Sequence, residues 1–249
     1  MMQATDIVIA VRGTREFPIE VDFENCIESL VKYTTNYRLI LVDDNSDEEG
    51  RRVVEKVASQ FPTSVLIRTH TQNWFTRAYN KGLRMVKTPK AVALNADVIC
   101  VDGWLDELYE VMKEVEAQPG QANKVGLVGH NGPGDGPEGA RWMCTVPGRG
   151  YVTGHCWLLS MDALGKVAAW RRTPGYYLDE TNPANAHIRS DIELCWRLNA
   201  LGYHTVAAFW RKVGHLGGRS WGYRRAEVDC FTQQQLDQID GVKSVTMPE

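Results

Sequence analysis

Apolar residues along this chain recur at two periods, and their alternation predicts the fold before any chemistry is considered. Thr5 to Val11 is a β-branched run that reads as a buried central strand. From Asp22 onward Phe23, Ile27, Leu30 and Val31 recur at helical spacing, and Tyr37 to Val42 forms a second strand. Val53, Val54, Val57, Ala58 and Phe61 mark a second helix, followed by a short strand from Ser64 to Arg68. Trp74 to Val86 is predicted helical, with Phe75, Ala78, Tyr79, Gly82 and Leu83 toward a sheet, and Lys90 to Leu94 is the fourth strand. Asp102-Gly103-Trp104-Leu105 opens a helix whose stripe is Trp104, Leu105, Leu108, Val111, Met112 and Val115, and Pro119-Gly120 ends it. Strand and helix in alternation imply an α/β fold with a mostly parallel central sheet and right-handed crossovers.

The pattern changes after Val125. Val125 to Gly129 is a strand, but Asn131 to Gly139 holds too many Gly and Pro residues for regular structure. Such a stretch is either a functional loop or a surface insertion. Cys156 to Ser160 returns to strand, Asp162 to Trp170 and Ser190 to Leu201 to helix, and His204 to Phe209 to strand. From Glu227 the chain is polar and glutamine-rich, which reads as a terminal helix and a loose tail. The expected organisation is a single domain over 1–249, with a nucleotide-binding-type half at 1–124, a second half at 125–225 and a C-terminal helix and tail at 226–249.

Composition narrows the class. A chain of 249 residues can bury one sizeable core without staples. With 28 basic against 31 acidic residues, it has no global positive field for holding nucleic acid. Hydrophobic content of 43% with 24% charged residues matches a globular protein, and no run approaches the roughly 18 apolar residues of a membrane span. The N-terminal residues lack the basic-then-apolar pattern of a signal peptide, so a cytoplasmic location is expected. Cys26, Cys100, Cys144, Cys156, Cys195 and Cys230 form no Cys-x-x-Cys pair, which argues against a zinc site and a disulfide framework. Cys156 adjoins His155, but neighbours in a strand point to opposite faces, which disfavours a thiol nucleophile.

Three strand or loop ends carry the candidate chemistry: Asp43-Asp44-Asn45-Ser46, Asn95-Ala96-Asp97, and the helix start at Asp191. All precede helices on the carboxyl side of the sheet, where an α/β fold opens its ligand crevice. Asn95 and Asp97 can equally start a turn, which is what these residues commonly do after a strand. Convergent carboxylates repel unless something positive lies between them, and a divalent cation on a diphosphate meets that need.

These residues, in order, resemble a known family. Val42-Asp43-Asp44-Asn45-Ser46, Trp74-Phe75-Thr76-Arg77-Ala78-Tyr79-Asn80-Lys81-Gly82, Leu94-Asn95-Ala96-Asp97 with Gly103-Trp104-Leu105, and Asp191-Ile192-Glu193-Leu194-Cys195-Trp196-Arg197-Leu198 with Gly202-Tyr203 resemble family 2 glycosyltransferases of the GT-A fold. The likeness runs from about Thr5 to Ser220. Its style is closest to rhamnosyl- and galactofuranosyl-type members. The resemblance implies transfer of a sugar from a nucleotide diphosphate sugar, UDP- or dTDP-linked, with inversion, to an acceptor hydroxyl. It implies that Asp44, with Ala10 and Val11, lines the nucleoside pocket, and that Asn80, Asn95, Ala96 and Asp97 belong to the donor site. It further implies that Asp97 binds Mn²⁺ or Mg²⁺ with His215 as a further ligand, and that Asp191 is the general base. The first half would then bind the donor and the second the acceptor.

Attack by a hydroxyl on an anomeric carbon needs a base near the acceptor and positive charge on the leaving diphosphate, and Asp191 and Asp97 offer both. Ser190 and Glu193 have the spacing of a capping box, which leaves Asp191 free for chemistry. His155 either faces the donor sugar or is packed. His215 read without the resemblance is a surface histidine. Trp142 and Trp221 fall in stretches predicted irregular, where stacking on a sugar is the reading, and Arg219 or Arg211 could pair with the diphosphate. Trp104, Trp170 and Trp196 lie on apolar helix faces. Departures from the family pattern are Ala10-Val11-Arg12-Gly13 for its Pro-x-Tyr-Asn, Asn95 for an acid, Trp74 for a glycine and Ser190 for a glutamate.

The acceptor is left as a glycan, a lipid-linked sugar or another hydroxyl, a hydroxylated DNA base among them. A nucleotidyltransferase and a non-catalytic nucleotide-sugar or glycan-binding protein remain alternatives. No Gly-x-Gly-x-x-Gly follows the first strand, which disfavours a dinucleotide enzyme.

Overall fold

The computed structural model describes residues 4–15, 18–130, 140–145, 152–169, 177–178, 190–209 and 213–215. Strand β1 (Thr5–Val11) is buried from end to end and is flanked in parallel by β2 (Tyr37–Asp43) and β4 (Lys90–Asn95). β3 (Val65–Arg68) extends the parallel set beyond β2. The crossovers are α1 (Glu20–Tyr33), α2 (Glu48–Ser59) and α3 (Trp74–Leu83). Beyond β4 lie β8 (Cys156–Ser160), β6 (Val125–His130), β9 (His204–Ala208) and β7 (Trp142–Cys144). The order among the described residues is β3-β2-β1-β4-β8-β6-β9-β7. β8 runs antiparallel to both β4 and β6, and β7 antiparallel to β9, so the sheet is mostly parallel with a mixed second half.

Strict alternation along β1 divides the core in two. Ile7, Ile9 and Val11 join the layer under α1, α2 and α4 (Trp104–Glu116), whereas Val8 and Ala10 join the layer under α3, α5 (Met161–Ala168) and α6 (Ser190–Ala200). Large buried side chains such as Phe23, Trp104 and Trp157 each contribute roughly 1.5–3 kcal/mol by leaving water. Two close approaches depend on glycine. A Cβ on Gly82 would meet Val8 Cγ1 at 2.3 Å, so α3 could not lie on β1 with any side chain there. A Cβ on Gly50 would meet the Gly13 backbone at 2.6 Å, where α2 packs on the segment after β1.

The structure corrects several expectations. Three short strands escape the periodicity: β5 (Val98–Cys100), β7 and β10 (Val213–His215) are three residues each, too short to show alternation. Trp142 lies in regular structure, at the sheet edge, with its indole N–H donating to Glu114 at 2.9 Å. Trp196 is 53% exposed, because α6 buries Leu194, Cys195 and Leu198 and its adjacent positions turn outward. Val31 is likewise 51% exposed, and Cys26 takes its place on the buried face of α1. The Gly/Pro stretch, Trp170 and the terminal helix lie outside the described residues.

Candidate functional site

The carboxyl ends of β1, β2 and β4 form the floor of the candidate site, as the parallel topology requires. Asp44 follows β2 and is fully buried. Its backbone N–H donates to the Val11 carbonyl at 2.8 Å, extending the ladder one step past both strands. Its carboxylate accepts from the backbone N–H of Asn73 at 2.7 Å, that of Trp74 at 2.9 Å, the Asn73 amide at 2.9 Å and the Thr69 hydroxyl at 3.1 Å. These donors satisfy the first N–H groups of α3, which no side-chain cap serves. The same grip holds Trp74 at φ 60°, a left-handed conformation that a glycine adopts without strain.

Ala10 and Val11 are both buried, Ala10 in the layer under α3 and Val11 in the layer under α1. Val11 therefore offers the crevice only its backbone, and its carbonyl is taken by Asp44. Asn80 is also fully buried, with its amide bonded both ways to the backbone of Leu178: Nδ2 donates at 2.8 Å and Oδ1 accepts at 2.9 Å. Position 80 thus pins a segment 98 residues further on.

At the end of β4, Ala96 and Asp97 are buried and Asn95 is partly so. Tyr79 Oη lies 2.7 Å from the Leu94 carbonyl and 3.1 Å from Asn95 Oδ1. Burial raises the Cys26 thiol far above its usual range, with the Asp97 carboxylate adding to the shift, and the neutral thiol donates to the Asn95 carbonyl at 3.5 Å. β5 starts one residue after Asp97 and pairs antiparallel with β10, which sets His215 opposite Val98. Backbone register thereby brings His215 beside the Asn95–Asp97 turn, although 118 positions separate residues 97 and 215.

Asp191 reaches the same place through the segment before β8. Its carboxylate accepts from the Ile192 N–H at 2.8 Å and from the Gly154 N–H. One residue on, the His155 carbonyl accepts from the Asn95 N–H at 2.9 Å. Gly154 packs so closely under Phe75 of α3 that a Cβ would lie 3.3 Å from its ring. Asp191 at the start of α6, Asn95 and the first turn of α3 are thereby joined by a single short stretch. Burial raises the Asp191 carboxyl to about 6, against the backbone N–H bonds of Ile192, Asp191 itself and Gly154 that lower it. His155 is packed, with Nδ1 2.9 Å from the Thr153 hydroxyl.

One further residue supports the arrangement and was not singled out as a site residue from the sequence. Arg197, buried on α6, pairs with Glu193 at 2.6 Å and donates to the Tyr177 carbonyl at 2.6 Å. Tyr177 and Leu178 are therefore gripped by α6 on one side and by Asn80 of α3 on the other. Its spacing of four from Glu193 along one predicted helix is the signal that could have found Arg197.

Backbone register sets position 215 next to Asp97, and a buried carboxylate such as Asp97 is of the type that binds a hard divalent cation. Among the described residues, no group of three or more His, Cys, Asp or Glu side chains comes together as a ready-made metal cage. Trp142 sits four strands from β4, roughly 19 Å away at the usual strand spacing, and outside the cluster built around Asp97. Trp221, Arg211 and Arg219 lie outside the described residues.

Comparison with known proteins gives two findings. The model of the family described as glycosyl transferase family 2 matches residues 7–168. Among solved structures, the mannosyltransferase PcManGT from Pyrobaculum calidifontis, in complex with GDP-Man and Mn²⁺, superposes with a TM-score of 0.58 at 16% identity over 82% of this chain. The match covers 54% of that structure, so this chain spans about half its length. That likeness is one of fold, the GT-A fold with its central sheet between helices. No curated protein matches.

Proposed function

The chain belongs to glycosyl transferase family 2, and on that premise we propose that it is a metal-dependent, inverting glycosyltransferase acting on a nucleotide diphosphate sugar. The observation that carries the proposal is the convergence of Asp191, Asn95 and the first turn of α3 on the segment at Gly154–His155. A carboxyl group held near 6 is ionised at neutral pH yet basic enough to take a proton from an acceptor hydroxyl.

In this reading the nucleoside lies over the ends of β1 and β2, on the half at 1–124, and the acceptor approaches from the half at 125–225. The acceptor oxygen attacks the anomeric carbon as Asp191 takes its proton, the glycosidic bond to the diphosphate breaks, and the anomeric configuration inverts. Asp97 and His215 would hold Mn²⁺ or Mg²⁺, which when bound supplies positive charge for the diphosphate as it leaves. UDP and dTDP are the donor nucleotides the sequence suggests, and GDP joins them because the similar mannosyltransferase carries GDP-Man. The His215 segment keeps a rhamnosyl- or galactofuranosyl-type transfer among the candidates. The acceptor is a glycan, a lipid-linked sugar or another hydroxyl. No helix among the described residues is long and apolar enough to cross a membrane.

Calorimetry with GDP, UDP, dTDP and CDP, with Mn²⁺ and with chelator, tests the donor site. Metal-dependent binding of one nucleotide, weakened by Asp97→Ala, is expected. Binding that ignores both chelator and Asp97→Ala would refute the metal-dependent site. Product analysis by NMR tests inversion, and retention of the anomeric configuration would refute Asp191 as the base of a single displacement.

A further inference from the structure

Arg12, directly after β1, has a buried Nε with no hydrogen-bond partner among the described residues. It follows Val11 directly, and the β1 alternation that sends Val8 and Ala10 to the α3 layer carries Arg12 to the same side. β2 behaves likewise: Ile40 and Val42 face that layer, and Asp44 follows them. Since Val11 pairs with Asp43 and the Asp44 N–H bonds the Val11 carbonyl, the continued register sets Arg12 beside Asp44, about 4.8 Å away at strand spacing. On its other flank β4 pairs Asn95 with Ala10, so the Asn95–Asp97 turn lies there.

A guanidinium beside a buried carboxylate ordinarily pairs with it. Here it does not, because four neutral donors already occupy Asp44. Arg12 Nε is buried and makes no hydrogen bond among the described residues. The same holds for the Gln72 amide nitrogen, one residue before the Asn73 that grips Asp44. The crevice between β1 and β3 therefore offers uncommitted donors, and its nearest acceptor is saturated.

That inventory selects among nucleobases. Uracil and thymine present an imino N–H between two carbonyls and require an acceptor at that point. Guanine presents two adjacent acceptors, O6 and N7, which the guanidinium fork matches in a bidentate pair. We propose that Arg12 reads the O6/N7 edge of the donor's nucleobase and makes this a site for guanine nucleotides in preference to uracil or thymine nucleotides. The assignment rests on the donor reading above and adds the base to it.

The test is calorimetry of the full chain with Mn²⁺, using GDP, UDP and inorganic pyrophosphate as probes, on the wild type and on Arg12→Lys, which keeps the charge and removes the fork. Thermal melts confirm that the variant is folded. Expected are GDP bound at least about tenfold tighter than UDP by the wild type, and a loss of about 10- to 100-fold for GDP alone in Arg12→Lys. Equal weakening of GDP, UDP and pyrophosphate would mean that Arg12 serves the phosphates and would overturn the assignment. Unchanged GDP affinity, or a wild type that prefers UDP, would overturn it while leaving the donor site intact. A wild type that binds none of the probes would instead remove the donor site itself.

Discussion

Asp44 and Asp191 border one crevice but come from halves of the sheet built in different ways. Asp44 stands on the parallel half, where β1 and β2 end together and the start of α3 supplies a ring of donors to its carboxylate. Asp191 stands on the mixed half, at the start of a helix, where burial raises its carboxyl to about 6 and outweighs the backbone N–H groups of Ile192, Asp191 itself and Gly154. Full satisfaction makes the first a fastener that orders the loop before α3. Partial desolvation makes the second a group whose proton changes hands near neutrality. The proposed division, structure for Asp44 and chemistry for Asp191, follows from whether side-chain and backbone donors together outweigh the burial of the carboxylate.

The sharpest way to break this comparison is to neutralise each carboxylate in turn. Asp191→Asn is expected to lower transfer by about 10²- to 10⁴-fold while donor affinity stays within about twofold, the loss usual for a general base. Its companion prediction concerns pH. Transfer by the wild type should rise about tenfold per unit up to about 6 and then level, and the residual rate of Asp191→Asn should lack that limb. The stability sign follows from the raised value: the folded state binds the extra proton between about 4 and 6, so the stabilisation from the protonated form is lost as pH rises through that window. At pH 8 Asp191→Asn should therefore be more stable than the wild type, by at most roughly 3 kcal/mol, as thermal or denaturant melts would reveal.

Asp44→Ala should act in the opposite way, with a loss of roughly 3 kcal/mol or more in denaturant melts because several buried donors lose their acceptor. Its pH limb should stay near 6. A shift of that limb with unchanged stability would reverse the roles given to the two residues.

Asn80→Ala is a milder probe, since Tyr177–Leu178 keeps its hold on Arg197. A loss of roughly 1–3 kcal/mol is expected from the two unmet backbone groups of Leu178. The smallest effect on activity belongs to Asp6, at the opposite end of the sheet. Burial raises this carboxyl, but two bonds from Arg38 at 2.7 Å and the N–H groups of Lys87 and Thr88 outweigh it and hold the value below normal. Its stabilisation is present above the unfolded value and is lost as pH falls through the lowered one. Asp6→Asn should leave transfer unchanged and reduce the acid sensitivity of the fold, as melts between pH 3 and 7 would read.

The sequence carried the parallel half well because its evidence is local. β1, β2, β4 and the stripe of α4 are long enough for their periods to stand out, and Asp44 and Asn95–Asp97 sit at their ends. The mixed half depends on pairings that no window contains. β10 finds β5 across more than a hundred residues, which is what brings His215 near Asp97, and β7 owes its existence to β9. Asn80 illustrates the limit most plainly. Its place in a donor-site motif suggested a ligand contact, and its partner turned out to be the backbone of Leu178. Arg12 was visible as a departure from the family pattern, but the absence of a hydrogen-bond partner for its Nε among the described residues emerged only from the packing.

The central claim is that Asp191 takes the acceptor's proton in a crevice that binds a nucleotide diphosphate sugar. Release of the nucleoside diphosphate by slow transfer to water tests it most directly. The donor would be the one found by calorimetry, with Mn²⁺ present, followed from pH 5 to 8 for the wild type and Asp191→Asn. The account predicts a wild-type rate that climbs to a plateau with a midpoint near 6, and a variant that binds the donor equally well but releases the diphosphate at least a hundredfold more slowly at every pH above 6. Equal rates for the two proteins, or a wild-type rate that falls as pH rises through 6, would contradict it.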